Sequence, residues 1–260
     1  MENTANLEML PEEVLKEIYL LEDQAKRLEM REQAQERFMP YAHHVYDNFI
    51  EGTHHRVIAE KLEKIANGEL KRLIVNMPPR HSKSEFASYL MPSWFLGRNP
   101  KLKIIQATMN TELAVRFGRK VRDLIADPKY REVFPDTDLK PDSQAAGRWE
   151  TSAGGEYFAA GVGAAMTGRG ADLLIIDDPH SEQDALSSTA YDNAYEWYTS
   201  GPRQRLQPGG TIIIVQTRWS KKDITGRLLA AQAKDVMADQ WEVVEFPAIL
   251  PSGEPLWPEF

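Results

Sequence analysis

Leu173-Leu-Ile-Ile-Asp-Asp178 decides the reading of this chain. Four large apolar residues in a row, with no polar alternation, suit a strand buried on both faces, as a central parallel strand requires. The run ends in two carboxylates, and Pro179 follows at once, so the chain turns there. Neighbouring side chains on a strand point to opposite sides, so both acids serve one site only where the strand has ended. Asp177 would then stand beside a divalent cation and Asp178 beside an attacking water. The alternative is that the two acids cap the following segment.

Upstream, Met77-Pro-Pro-Arg-His-Ser-Lys-Ser84 lies between an apolar run, Arg72-Leu-Ile-Val-Asn-Met77, and a helical stretch from Ser84 to Leu96. A phosphate-binding loop needs backbone N–H groups facing the phosphates, a lysine for the β/γ oxygens and a hydroxyl for Mg²⁺. Lys83 and Ser84 fit the last two roles. The loop departs from G-x-x-x-x-G-K-[ST] at both glycines, where Met77 and Ser82 stand. Taken alone, Ser-Lys-Ser reads as a helix start. The strand-loop-helix setting and the paired acids downstream favour a P-loop NTPase.

The surrounding pattern agrees. Lys103-Ile-Ile-Gln-Ala107, Tyr157 to Gly161, Thr211-Ile-Ile-Ile-Val215 and Val243-Val244 read as further strands. The turn Gln207-Pro-Gly-Gly210 precedes the third of these. Helices are expected over Arg56–Ala66 (capped by Asn67-Gly68), Thr111–Ala126 and Lys222–Ala233. Strands alternating with helices predict an α/β fold with a mainly parallel sheet flanked by helices. From Pro11 to Phe38 the chain is rich in Glu, Lys, Gln and Leu. There Val14, Ile18, Leu21, Ala25 and Leu28 recur at spacings of four and three, placing one apolar stripe along a helix. Pro11 suits its first turn, and Pro40 is expected to stop it. The stripe is expected to pack on the chain's own core, with docking to a partner as the alternative. Residues 1–55 are read as a helical N-terminal or lid subdomain and 56–260 as the nucleotide-binding core.

Composition sets the outer limits. The 260 residues carry a formal net charge of −8, and 42% are hydrophobic. There is no cysteine, which removes disulfides, zinc-thiolate sites and thiol nucleophiles. No apolar run approaches the ~18 residues of a membrane span. Met1 to Glu8 lack a basic leader, so a cytosolic protein is expected. The acidic balance argues against a surface-wide nucleic-acid footprint but permits a local basic groove, for which Lys101, Lys103, Arg203, Arg205, Lys221 and Lys222 are candidates.

Three segments together carry a resemblance. Pro78-Pro-Arg-His-Ser-Lys-Ser84, Gly168-Arg-Gly-Ala-Asp-Leu-Leu-Ile-Ile-Asp-Asp-Pro179 and Thr217-Arg-Trp219 resemble the ATPase half of tailed-bacteriophage large terminase subunits, the DNA-packaging motors. The similarity runs from about His54 to Leu256-Trp-Pro-Glu259, and the family's phosphate loop deviates from the general pattern as this one does. The resemblance implies a RecA-like, additional-strand ATPase that hydrolyses ATP with Mg²⁺ to translocate double-stranded DNA into a procapsid in the bacterial host cytoplasm. Its partners would be portal protein, the small terminase subunit and further copies in a ring, with a monomer in isolation and no membrane. It implies that Pro79, Arg80, His81, Ser82, Lys83 and Ser84 bind ATP, with His54 and His55 in the segment that contacts adenine. Ser84 and Asp177 would hold Mg²⁺. Asp178, where the family often has Glu, would polarise the lytic water, and Thr217 would relay loss of the γ-phosphate. Arg169 would be offered to a neighbouring subunit as an arginine finger; a structural ion pair or a DNA contact is its alternative. The family's nuclease domain is absent from this chain, so an isolated ATPase domain is expected.

Other chemistry fits less well. His43-His44 and His54-His55 are adjacent pairs whose members diverge by ~100° on a helix and so do not chelate one ion. Trp197 and Trp219 are read as core aromatics rather than base-stacking platforms. Two rivals remain: another nucleic-acid-dependent ATPase of helicase or recombinase type, and a catalytically weak nucleotide-binding ring scaffold, which the missing loop glycines favour.

Overall fold

The computed structural model describes residues 10–260, so the reading of Met1 to Glu8 lies outside the described residues. Within them, eight strands form one sheet: β1 (Arg72–Asn76), β2 (Lys103–Thr108), β3 (Leu139–Ala145), β4 (Arg148–Thr151), β5 (Glu156–Gly161), β6 (Ala171–Asp177), β7 (Leu206–Gln216) and β8 (Glu242–Glu245). Their order is β3-β4-β5-β2-β6-β7-β1-β8. All pairings from β5 to β8 are parallel, and β4 and β3 extend the β5 edge antiparallel. The helices are α1 (Glu12–Glu36), α2 (Phe38–Val45), α3 (Thr53–Ala66), α4 (Met91–Arg98), α5 (Thr111–Ala126), α6 (Pro128–Val133), α7 (Ser188–Ser200) and α8 (Ile224–Lys234). The result is a mixed α/β architecture with a mostly parallel sheet flanked by helices.

The apolar runs are buried on both faces because each strand feeds two cores by alternation. Leu73, Val75, Leu173, Ile175, Ile213 and Val215 enter a core shared with the first six helices. Ile74, Leu174, Ile176, Ile212 and Ile214 enter a second core with Tyr198 of α7 and Leu228 of α8. Ala34, Phe38 and Tyr41 belong to the first core, so packing runs without a break across position 55.

Four expectations are corrected. Pro40 does not stop the first helix. The break falls at Arg37, whose backbone is extended (φ −120°, ψ 135°), and Pro40 lies in the first turn of α2, where its missing N–H has no partner to lose. The stripe of α1 does not enter the core: Leu21 and Leu28 are 56% and 58% exposed, and Ala34 is the buried residue of this helix. The helix after Ser84 opens as a π-helical turn, Glu85–Leu90, before α4 begins at Met91. Such turns recur at functional sites. Finally, β7 runs through Gln207–Gly210 instead of starting after a turn. Gly209 takes a positive φ (82°) there, and the pairing with β6 shifts between Ala171 and Leu173.

Candidate functional site

The C-terminal ends of β1, β6 and β7 converge, and β7 lies between the other two. Crevices outside the carboxyl ends of parallel strands are where open α/β sheets bind ligands. From β1, Met77 leads into the loop, and its N–H donates to the Gln216 carbonyl at the end of β7 (3.0 Å). Arg80 and Ser82 both adopt left-handed backbone, with φ of 63° and 66°. Glycine does this at least cost, and non-glycine residues held there store strain of about 1–3 kcal/mol each. The loop therefore makes its turns despite lacking glycine, which weakens the support for a scaffold reading. His81 Nδ1 lies 2.8 Å from the Pro79 carbonyl, and Arg80 is exposed.

Lys83, only 6% exposed, places Nζ 2.9 Å from Asp178 Oδ2. Ser84 Oγ donates to Asp177 Oδ1 (2.9 Å), and Ser88 Oγ donates to Asp177 Oδ2 (2.7 Å). Asp177 closes β6 and is buried. Burial, then the neighbouring charge of Asp178, pushes its carboxyl up to about 7, against the hydroxyls of Ser88 and Ser84 and the ammonium of Lys83. Asp178 turns at φ 41°, a left-handed backbone that Asp tolerates better than most residues. That turn brings its carboxylate to the lysine although it follows Asp177 directly. The Thr217 N–H donates to Asp178 Oδ1 (2.7 Å). Lys83, Ser84, Asp177, Asp178 and Thr217 thus form one connected cluster.

The remaining expected residues fall elsewhere. His54 and His55 are fully buried, with rings 3.9 Å apart; His55 stacks on Phe86, and both meet Trp257 edge-on. The Gly52 N–H donates to His55 Nδ1 (2.8 Å), whereas neither ring nitrogen of His54 has a partner. Burial and, second, the charge of His81 lower His54 to about 4; burial and then His54 lower His55 to about 3. Arg169 does not join the cluster. Its guanidinium lies over the Phe158 ring (4.1 Å) and 3.5 Å from Glu156 Oε2, where β5 begins. Lys103 and Arg203 are likewise engaged, with Glu156 and Asp239. Trp219 overturns its expectation as a core residue: it is 40% exposed, on a groove of about 580 Å³ shared with Pro79, Met109, Asp178 and Thr217. It follows a strand end, so no sheet face is available to cover it. Trp197 is half-buried and donates Nε1–H to the Ala164 carbonyl.

Two contributors escaped the sequence reading. Ser88 completes the hydrogen bonds of Asp177 from one turn beyond Ser84, a hydroxyl at i+4 that marks the same helix face. His180 Nε2 accepts the Ile224 N–H (3.2 Å), and Asp223 caps the same helix end through Gly226 while holding Arg218 (2.8 Å). No spacing signal announces the contacts of His180 and Asp223. No group of three or more His, Cys, Asp or Glu suited to a metal exists among the described residues. Mg²⁺ needs no such cage, because it binds through one or two protein oxygens with phosphate and water completing the shell. Ser84 Oγ and Asp177 Oδ1 are two such hard oxygens.

No family model and no curated protein matches the chain. Among solved structures it is similar to the crystal structure of the HK97 bacteriophage large terminase, at 13% identity and a TM-score of 0.43, over 74% of this chain. The chain covers 39% of that structure's length. A likeness at this level assigns no role to any residue. No helix among the described residues is long and apolar enough to cross a membrane.

Proposed function

We propose that this chain is the Mg²⁺-dependent ATPase motor domain of a viral large terminase, driving double-stranded DNA into a procapsid together with portal protein, small subunit and further copies of itself. The observation that carries the ATPase reading is the pairing of Lys83 with Asp178 and of Ser84 with Asp177 at the carboxyl ends of β1 and β6. The strand inserted between them, β7, supports an additional-strand P-loop class. The terminase assignment rests on the wording of the three sequence segments.

In this reading Lys83 turns from Asp178 to the β/γ-phosphates, and the loop N–H groups cradle them. Ser84 and Asp177 would hold Mg²⁺, which would neutralise phosphate charge. Asp178 orients the water, and Thr217, bonded to Asp178, responds to loss of the γ-phosphate. Arg169 completes a neighbour's site only by leaving Phe158 and Glu156. Mg²⁺-dependent ATP hydrolysis over a range of protein concentrations, with Lys83→Ala in parallel, tests the assignment. Activity lost in the variant supports it, and a per-subunit rate that rises with concentration supports a shared site. A flat background insensitive to Lys83→Ala overturns it.

A further inference from the structure

We propose that Thr225 is a positioning residue for the nucleotide site, holding the end of β7 so that the Thr217 N–H meets Asp178. The inference rests on reading the Lys83–Asp178 cluster as that site, and adds to it a residue from α8.

On the face of the second core, β1 and β7 end in a polar rung. Ile74 faces Ile214 across these strands, but the next pair on that face is Asn76 and Gln216. Both are 1% exposed, and Thr225, in the first turn of α8, is fully buried. Gln216 Nε2 donates to Thr225 Oγ1 (2.6 Å), whose hydroxyl donates to Asn76 Oδ1 (3.2 Å). Asn76 Nδ2 in turn donates to Glu245 Oε2 at the end of β8 (3.3 Å). Buried polar groups cost free energy unless they are paired, and another isoleucine rung would bury more apolar surface. This row therefore fixes position rather than adding cohesion.

What it fixes is the loop from Thr217 to Lys222, which joins β7 to α8. Asp223, itself fully buried, fastens the far end of that loop. It accepts from Arg218 Nε (2.8 Å) and from the N–H groups of Trp219 and Ser220 (3.3 and 3.4 Å). The bond from Gln216 to Thr225 fastens the near end, one residue before Thr217. Between these two ties the Thr217 nitrogen is held 2.7 Å from Asp178 Oδ1. The Gln216 carbonyl also accepts the Met77 N–H, where the phosphate loop departs (3.0 Å). Thr225 thus acts on Asp178 through the placement of β7, whose last residue touches both the loop and the coupling threonine.

Thr225→Val keeps the shape and removes the hydroxyl, leaving the Gln216 amide and the Asn76 carbonyl without their partner. Thr225→Ser keeps the hydroxyl. Amide hydrogen exchange, followed by NMR on the nucleotide-free chain, should be about tenfold faster at Thr217 in Thr225→Val than in wild type. Thr225→Ser should match wild type there, and the amides of Leu174 and Ile175 should be unchanged in both. In single-turnover hydrolysis Thr225→Val should lose about tenfold in rate with ATP affinity within about threefold, the signature of a misplaced group. That loss should vanish in an Asp178→Asn background. Unaltered exchange at Thr217, or a wild-type rate in Thr225→Val, overturns the proposal. So does an equal loss in both backgrounds, which marks a general structural role. A wild-type chain that hydrolyses no ATP overturns the nucleotide reading instead, and exchange at Thr217 still decides whether Thr225 positions it. If Thr225→Val does not fold, Gln216→Met breaks the same tie and carries the same expectations.

Discussion

Lys83 Nζ and Asp178 Oδ2 lie 2.9 Å apart, tying the end of the loop to the end of β6. Asp178 also accepts the Thr217 N–H, so three chain segments meet at one carboxylate. Asp178→Asn keeps the size of the side chain and the acceptor for Thr217 but loses the negative charge. ATP affinity should stay within a few-fold of wild type, while turnover should fall about 10²–10⁴-fold, the usual contribution of a positioned acid or base. Isothermal titration and single-turnover hydrolysis separate the two effects. Equal turnover in Asp178→Asn and wild type would remove Asp178 from the chemistry.

Ser82 tests the loop geometry. At φ 66°, Ser82→Gly exchanges left-handed strain for greater freedom in the unfolded chain, two effects of about 1 kcal/mol that oppose each other. The melting temperature should therefore stay level or rise by a few degrees. Ser82→Val puts a β-branched residue at the same φ and should lose about 1–3 kcal/mol. Thermal melts of the pair check this, and a Val variant as stable as wild type would contradict the backbone conformation.

Ser88→Ala removes the hydroxyl on Asp177 Oδ2 and leaves the bond from Ser84 in place. Groups that orient a metal-binding side chain typically contribute 10–100-fold to metal affinity. The Mg²⁺ concentration for half-maximal hydrolysis should rise by about that factor, with ATP affinity in excess Mg²⁺ little changed. An unaltered Mg²⁺ requirement would leave Ser88 a packing residue.

The buried histidines predict acid sensitivity. His54 and His55 titrate at about 4 and about 3 in the folded chain, below the ~6.5 of an unfolded histidine. Between those values the unfolded state binds protons that the folded state refuses. Their contribution is fully present above pH ~6.5 and is lost as pH falls toward 4. Because His54 has no hydrogen-bond partner, His54→Phe should hold or raise stability at pH 7.5 and flatten the fall toward pH 5. Urea denaturation at the two pH values gives the comparison; an identical pH slope in the variant would be the contrary result.

The sequence made the central strands legible because Leu73–Val75, Leu173–Ile176 and Ile212–Val215 have no residue suited to water. It concealed β3, whose Leu-Lys-Pro-Asp-Ser-Gln-Ala carries a proline tolerated only because the strand is at the sheet edge. It concealed α7 as well, where Ser187 caps a run of small polar and aromatic residues without a clear stripe. Lys83, Ser84, Asp177 and Asp178 could be found because their spacing is local. Ser88, one turn beyond Ser84, was legible by the same local spacing and was missed; His180 and Trp219 were not legible, since what they touch depends on how distant strand ends meet. The periodicity of α1 gave the stripe correctly, yet periodicity carries no information on which way a stripe faces.

β7 lies between β1 and β6. The loop and the acids are attached to the outer two strands, so the span between them is two strand spacings, about 9.6 Å. The last residues of β7 grip both sides: Gln216 accepts the Met77 N–H and Val215 accepts the Asp178 N–H (3.0 and 2.9 Å). This middle strand works as a feeler gauge for the jaws on either side of it. Its width is set by backbone hydrogen bonds to both neighbours, so breaking that ladder by Ile213→Pro, remote from any reacting atom, would let the jaws drift and mis-set the grip on phosphate.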